Sequence, residues 1–290
     1  MIIGKRPFKF RIFSKHMHYT IINNELLPAD KASLLVSDLS IERGYGVFDF
    51  FKTLNGKPIF LEDHLDRFYQ SASIMQLPVS RSREQLKALV QELMQQNKMP
   101  DSGIRITLTG GYSKDGYDLS TPNLIITQQP LPPAGGLDTA GIHLVTYAHQ
   151  RQLAAAKTID YIMAIWLRAF INQEGAYDVL YHQHNNITET PRTNFFIVTK
   201  NDTIVTPSHH ILKGVIRKQV LQLAAGKFTI EERDITIREV YEAKEAFITS
   251  TTKNIWPVVK VDQQLINDGK PGAITKQLID LLQQQIDSNR

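Results

Sequence analysis

Lys157 is the first residue in this chain whose type and setting could do chemistry. It is the only positive charge between Arg151 and Arg168, and it follows Leu153-Ala154-Ala155-Ala156. An apolar wall strips hydration from an ammonium and disfavours its charged form. A lysine that sheds its proton can act as a Schiff-base nucleophile. The plainer reading is a lysine with its stem on apolar surface and its head in water. Glu189 closes Asn185-Asn186-Ile187-Thr188-Glu189, in a segment otherwise free of acid. A carboxylate there could pair with a protonated ring nitrogen, or be an ordinary turn-side glutamate.

Three further features could hold an anion. Ile211-Leu212-Lys213-Gly214-Val215-Ile216-Arg217 puts a glycine at a helix start, where free N–H groups and the helix dipole favour negative charge. Ser250-Thr251-Thr252 ends an apolar strand with three hydroxyls, which can donate to phosphate or simply solvate a turn. Arg67, on the polar side of its helix, could clamp a phosphate or be a surface arginine. Taken together with Lys157 and Glu189, they suggest a phosphorylated cofactor held from both ends.

The elements that must position these residues follow from periodicity. Strands are expected at Tyr19–Asn23, Val47–Leu54, Lys57–Leu61, Gly103–Thr109 and Asn123–Gln128, with Asn55-Gly56 as a hairpin turn. From Glu62 the period becomes helical, with Leu65, Phe68, Tyr69, Ala72 and Met75 on one face and His64 and Arg67 off it. Ser82 and Gln85 form a capping box for a second helix. Gln129–Gly136, with three prolines and two glycines, reads as a linker between an N-terminal domain, 17–128, and a C-terminal domain, 137–290. In the second half strands are expected at Ile142–Tyr147, Asp178–Tyr181, Ile187–Glu189, Asn194–Val198, Thr203–Thr206, Glu245–Ser250 and Pro257–Val261. One long helix after Lys157 is expected to carry Ile159, Ile162, Met163, Trp166, Ala169 and Phe170 on its buried stripe. Others start near Val215, at a Thr236/Glu239 capping box and after Pro271-Gly272.

Composition bounds the class. The chain has 290 residues, 42% apolar and 21% charged, which suits a globular protein. No apolar run is long enough to cross a bilayer. The absence of cysteine excludes disulfides, thiol chemistry and a cysteine metal site, and fits a reducing, cytoplasmic setting. The net charge of +4 includes Lys5, Arg6, Lys9, Arg11 and Lys15; without those five the remainder carries −1, so the body offers no basic face for nucleic acid. Residues 1–16 read as a disordered extension and a poor signal peptide.

The motifs are similar, in order, to those of a known family. Arg43-Gly44-Tyr45-Gly46-Val47-Phe48-Asp49 resembles its first signature, and His64-Leu65-Asp66-Arg67 its phosphate-arginine helix. Lys157-Thr158-Ile159-Asp160-Tyr161, Thr188-Glu189 with Asn194-Phe195-Phe196, Ile211-Leu212-Lys213-Gly214-Val215-Ile216-Arg217, and Phe247-Ile248-Thr249-Ser250-Thr251-Thr252 with Pro257-Val258 complete the set. The family is the class IV, fold-type-IV pyridoxal-phosphate aminotransferases: branched-chain aminotransferase, D-amino-acid aminotransferase and the related aminodeoxychorismate lyase. The resemblance spans about residues 19–285. It implies a two-domain α/β homodimer with pyridoxal 5'-phosphate (PLP) in the cleft. It also implies a Schiff-base role for Lys157, ring-nitrogen pairing for Glu189, and phosphate binding by Arg67, Gly214, Val215, Ile216 and Thr251. Leu212 and Tyr161 would lie against the ring, and Phe48, Arg105, Arg192 and Thr252 near the substrate. Where the family carries threonine in the helix-start motif this chain has Ile216, which leaves only the amide. Thr190-Pro191-Arg192 replace the usual small residues after the glutamate. Arg105 matches the arginine of the branched-chain enzymes, and Gly110 stands where the D-amino-acid enzymes have one. The expected reaction moves an amino group from a small branched-chain L-amino acid to 2-oxoglutarate. The alternatives are the lyase, a D-amino-acid aminotransferase, and a non-catalytic binding protein.

Overall fold

The computed structural model describes residues 18–131 and 140–288. The expected N-terminal extension therefore lies outside the described residues. The first half forms an antiparallel sheet from β1 (Tyr19–Ile22), β2 (Glu25–Pro28), β3 (Gly46–Leu54), β4 (Lys57–Pro58), β5 (Ser102–Thr109) and β6 (Leu124–Pro130), in the order β2-β1-β6-β5-β3-β4. Alternation along β5 sets its faces: Ile104, Ile106 and Leu108 are buried, while Arg105 and Thr107 turn the other way and are half-buried. Ahead of β3 lies the single turn α1 (Leu39–Glu42). Two longer helices, α2 (Leu61–Ile74) and α3 (Arg83–Asn97), close one core. Leu65, Phe68 and Ala72 from α2 and Leu86, Val90 and Leu93 from α3 meet Val47, Phe51, Ile104 and Ile106 there. Each of these side chains except Ala72 contributes about 1.5–3 kcal/mol on burial. The capping box at Ser82 is present, with Gln85 N donating to Ser82 Oγ and Ser82 N to the Gln85 side chain.

The second half forms a larger mixed sheet. Its strands are β7 (Ile142–Ala148), β8 (Asp178–Gln183), β9 (Asn186–Ile187), β10 (Asn194–Val198), β11 (Ile204–Thr206), β12 (Ile230–Glu232), β13 (Ile235–Thr236), β14 (Glu245–Ser250), β15 (Asn254–Val261) and β16 (Gln264–Leu265). They run in the order β12-β11-β10-β14-β15-β7-β8-β9-β13, with β16 on β15 and parallel pairs at β12/β11, β15/β7 and β7/β8. All five residues of β10 are buried, as expected of a strand covered on both faces. Phe196 and Val198 point to one core, with α6 (Val215–Ala224) and α8 (Ala273–Ser288). Phe195 and Ile197 point to the other, with Val240 of α7 (Ile237–Glu242). The buried Glu245 carboxylate fixes the start of α8 by accepting from the Ile274 and Thr275 amides at 3.0 and 2.7 Å. Mixed α/β architecture in two sheets agrees with the sequence reading.

Four expectations change. The stretch after Lys157 is two short helices, α4 (Ile162–Trp166) and α5 (Arg168–Gln173), instead of one long one. Ile159 lies outside both, and Ile162 and Trp166 are exposed; the buried residues are Leu167 and Ile171. The return strand after Asn55-Gly56 stops at Pro58, because α2 begins at Leu61. Glu189 lies beyond β9 and pairs in a single bridge with Asn194. Gln129 and Pro130, read as linker, are the last residues of β6, and residues 132–136 lie outside the described residues.

Candidate active site

The segment bearing Lys157 comes from the second half of the chain but is bonded to the first sheet. Lys157 N donates to Ser71 Oγ at 3.0 Å, and its carbonyl accepts from Phe48 N at 2.9 Å. Ile159 N donates to the Gly46 carbonyl at 3.0 Å, and Val47 bridges Thr158. Residues 157–159 thus extend along the open edge of β3, which is why they are not helical. The side chain enters the cleft between the two sheets, with Nζ 4.7 Å from the Phe48 ring centroid. Burial, then the nearby Arg67 and Arg151 charges, push its pKa down to about 7, against the pull of Asp49 and Glu189. The apolar wall expected upstream is only partly there: Ala154 and Ala156 are buried, but Leu153 is exposed.

At one end of the cleft stands Glu189, buried to 4% exposure. Arg151 Nε donates to its Oε1 at 2.8 Å, and the Leu212 amide to Oε2 at 3.0 Å. Burial pushes the Glu189 pKa up, and Arg151 opposes that shift. Leu212 is therefore tied to the glutamate by its backbone, a contact that residue types alone do not disclose.

A second set of groups suits an anion. Gly214 caps α6 without a side chain, so the first-turn N–H groups, from Val215 and Ile216, have no partner within the helix. Gly214, Val215, Ile216 and Thr251 line the cleft together with Arg67. A Cβ at Gly214 would overlap the Asn194 amide oxygen, so any larger residue there requires the Asn194 side chain to move. The Ile216 side chain packs into the core, leaving its amide as the polar group, as the sequence implies. Thr249 Oγ1, also in the lining, is buried and has no partner among the described residues. Arg67 is not on a solvated face: it is buried, with Nε and Nη2 each 2.8 Å from the Asp49 carboxylate. His64 Nδ1 holds the same carboxylate at 2.7 Å. These contacts keep Asp49 far below the usual carboxylate range despite burial and leave the Nη1 edge of Arg67 for a ligand.

The remaining expected residues line the same cleft. The Arg105 guanidinium lies 4.1 Å from the Phe48 ring centroid, and Tyr161 packs against Phe48 with centroids 6.0 Å apart. Burial raises the Tyr161 pKa while Arg151, Arg105 and Arg192 lower it. Arg192 and Thr252 stand at the exposed rim, Arg192 reaching Asp178 at 3.3 Å. All thirteen residues singled out from the sequence therefore border one cleft.

Comparison with known proteins fits this arrangement. The family profile described as Amino-transferase class IV matches residues 46–261. The chain belongs to the class IV aminotransferases. It is 30% identical over 269 residues to a Methanocaldococcus jannaschii protein provisionally named a branched-chain-amino-acid aminotransferase, covering 89% of this chain and 92% of that one. It is 27% identical over 272 residues to a Bacillus licheniformis D-alanine aminotransferase, covering 92% and 96%. A T.th. branched-chain amino acid aminotransferase, solved with pyridoxamine 5'-phosphate, superimposes with a TM-score of 0.87 at 20% identity, over 95% of this chain and 96% of that one. Among the described residues of this class IV aminotransferase, no helix is long and apolar enough to cross a membrane.

Residue reasoning missed several members of the site. Arg151, Asp49 and His64 carry no local signature, since each acts through a partner remote in sequence, and Thr249 lay in a quoted motif with no role assigned to it. Asp49 and His64 lay inside quoted motifs without an assigned role, and Lys253 had no functional reading. The one available signal was β3 alternation, which cannot tell a buried aspartate from a solvated one.

Proposed function

We propose that this class IV aminotransferase works with PLP and moves the amino group of a small branched-chain L-amino acid to 2-oxoglutarate. The observation that carries this reading is the convergence in one cleft of Lys157, its pKa pushed down to about 7, with a buried carboxylate and an unpartnered helix start. The donor set fits the cofactor: Glu189 for the ring nitrogen, and the Val215 and Ile216 amides, Thr251 and the free edge of Arg67 for the phosphate. Thr249, whose buried hydroxyl has no partner among the described residues, lines the same cleft. When bound, PLP supplies an electron sink for the pair left when the substrate α-proton departs.

The protein's part is binding, orientation and proton handling. Lys157 Nζ takes the α-proton and returns it, a task suited to a group that titrates near neutrality. Burial raises the Glu189 pKa and Arg151 opposes that rise; in its ionised form Glu189 favours a protonated ring nitrogen as a nearby opposite charge does. Leu212 and Tyr161 confine the ring, Phe48 gives an apolar wall to the side chain, and Arg105 offers a guanidinium to a carboxylate. By the same family likeness the working unit is a homodimer.

The decisive assay supplies PLP-loaded protein with L-valine, L-leucine, L-isoleucine and D-alanine, each with 2-oxoglutarate. Glutamate formation from the L-branched donors is expected. A D-amino-acid preference is the second reading, favoured by the D-alanine aminotransferase relative; turnover of D-alanine alone would establish it. Pyruvate release from aminodeoxychorismate without an oxo-acid acceptor would overturn transamination.

A further inference from the structure

Six basic side chains line the cleft, Arg67, Arg105, Arg151, Lys157, Arg192 and Lys253, against one carboxylate, Glu189. Asp49 engages Arg67 from behind the wall, and Glu189 engages Arg151. Arg192 makes one contact to Asp178, at 3.3 Å through Nη2, which leaves most of its fork free. Among the described residues no ion pair is made to Lys253. Its ammonium lies 5.5 Å from the Trp256 ring centroid and 5.8 Å from that of Tyr177, two rings that meet edge to face. Its amide donates to Ser250 Oγ at 3.3 Å, which fixes the turn after β14. Burial, then the Arg192 charge, push the Lys253 pKa down to about 8, against the pull of Asp178. This half-buried cation has ring faces and the more distant Asp178 charge, which Arg192 already engages, but no carboxylate paired directly with it among the described residues, so its counter-charge is incomplete. Arg192, beside it, makes the local field more positive. The pair thus attracts an anion at the cleft wall, and the α-carboxylate of a substrate can satisfy only one such site while Arg105 offers another.

We propose that Lys253 and Arg192 form a carboxylate subsite, distinct from Arg105, that receives one end of a dicarboxylic amino or 2-oxo acid. The proposal rests on the aminotransferase reading above and adds where dicarboxylates are distinguished from monocarboxylates. The second carboxylate docks on the second-sheet side, against Trp256 and Tyr177. A branched-chain substrate has no group to place there, so the subsite acts in the dicarboxylate half-reaction.

The test uses PLP-loaded wild type, Lys253→Met, Lys253→Arg and Arg192→Leu, with 2-oxoglutarate and the monocarboxylate 2-oxohexanoate as acceptors. Lys253→Met and Arg192→Leu should each lower kcat/KM for 2-oxoglutarate by about tenfold or more, mainly through KM, and change 2-oxohexanoate by about twofold or less. Lys253→Arg should restore part of the preference. Equal losses on both acceptors, or no loss on 2-oxoglutarate, would overturn the subsite. Calorimetric titration of the same proteins with glutarate and hexanoate reads the subsite without turnover. Glutarate should bind wild type more tightly than hexanoate and lose that advantage in Lys253→Met; equal affinities in wild type would overturn the proposal. A wild type inert with every acceptor yet selective for glutarate would refute the aminotransferase reading while leaving the subsite standing.

Discussion

With a pKa of about 7, Lys157 should capture PLP as a neutral amine at pH values where an ordinary lysine is almost wholly protonated. The rate of PLP uptake by cofactor-free protein, followed by absorbance, should rise with pH and level off above about 7. A rate still climbing toward 10.5, the unperturbed lysine value, would show that the ammonium is not desolvated. Glu189 gives a second test. Burial raises its pKa and Arg151 holds it down, so Arg151→Leu should raise it further. The ionised fraction at a given pH then falls, and the acidic limb of the kcat profile should move to higher pH. An unmoved limb would mean that Glu189 ionisation does not govern turnover. At this scale the reactive residues were readable because their motifs are local and ordered. Their tuning partners were not, since Arg151 meets Glu189 across 38 residues and Asp49 meets Arg67 across 18.

The Asp49–Arg67–His64 cluster locks α2 onto β3, so Arg67 has a structural task besides its proposed hold on phosphate. Arg67→Ala should weaken PLP binding by about ten- to a hundredfold, the loss of roughly 1.5–3 kcal/mol for a charge-assisted contact. It should also destabilise the cofactor-free protein by roughly 3–5 kcal/mol, because Asp49 stays buried with one partner fewer. Equilibrium denaturation without cofactor separates the two effects; a weakened PLP affinity with full stability would mean that Asp49 does not depend on Arg67. The start of α6 is tested by Gly214→Ala. The added methyl must displace Asn194, whose amide donates to the Leu212 carbonyl at 2.6 Å. That overpacking should cost about 1–3 kcal/mol and reduce PLP affinity, read from a melting curve and a titration. Most elements were legible in period and caps, including α3 from Ser82 and Gln85. The helix after Lys157 was misread because its three-four spacing of apolar residues, with Ile162 and Trp166 exposed, does not mark the buried face. There the sheet edge claims the backbone of residues 157–159, and a pairing so distant in sequence leaves no periodic trace.

At the scale of the molecule the cleft has two walls of different origin. Lys157 is bonded to the first sheet, whereas Glu189, α6 and the Thr249–Thr252 strand end belong to the second. Lys52 Nζ reaches the Asn254 side chain at 2.6 Å, and Lys218 reaches Asp63 at 2.5 Å, across the same boundary. The two-sheet plan was readable from the order of strands and helices, but not that the chain returns to complete the first sheet. That return bears on how the protein can be divided. A fragment of residues 18–131 would contain every named strand of the first sheet yet lack the segment that covers β3 at Gly46–Phe48. Its exposed amides and carbonyls would form a template for other copies. The fragment should elute as soluble aggregates in size-exclusion chromatography, and a peptide of residues 153–160 added in excess should shift it toward monomer. An equal elution profile with and without the peptide would mean that this edge is protected by other means. By this reasoning the two halves are not exchangeable parts: a graft that respects the sequence midpoint would carry away the strip of backbone that finishes its neighbour.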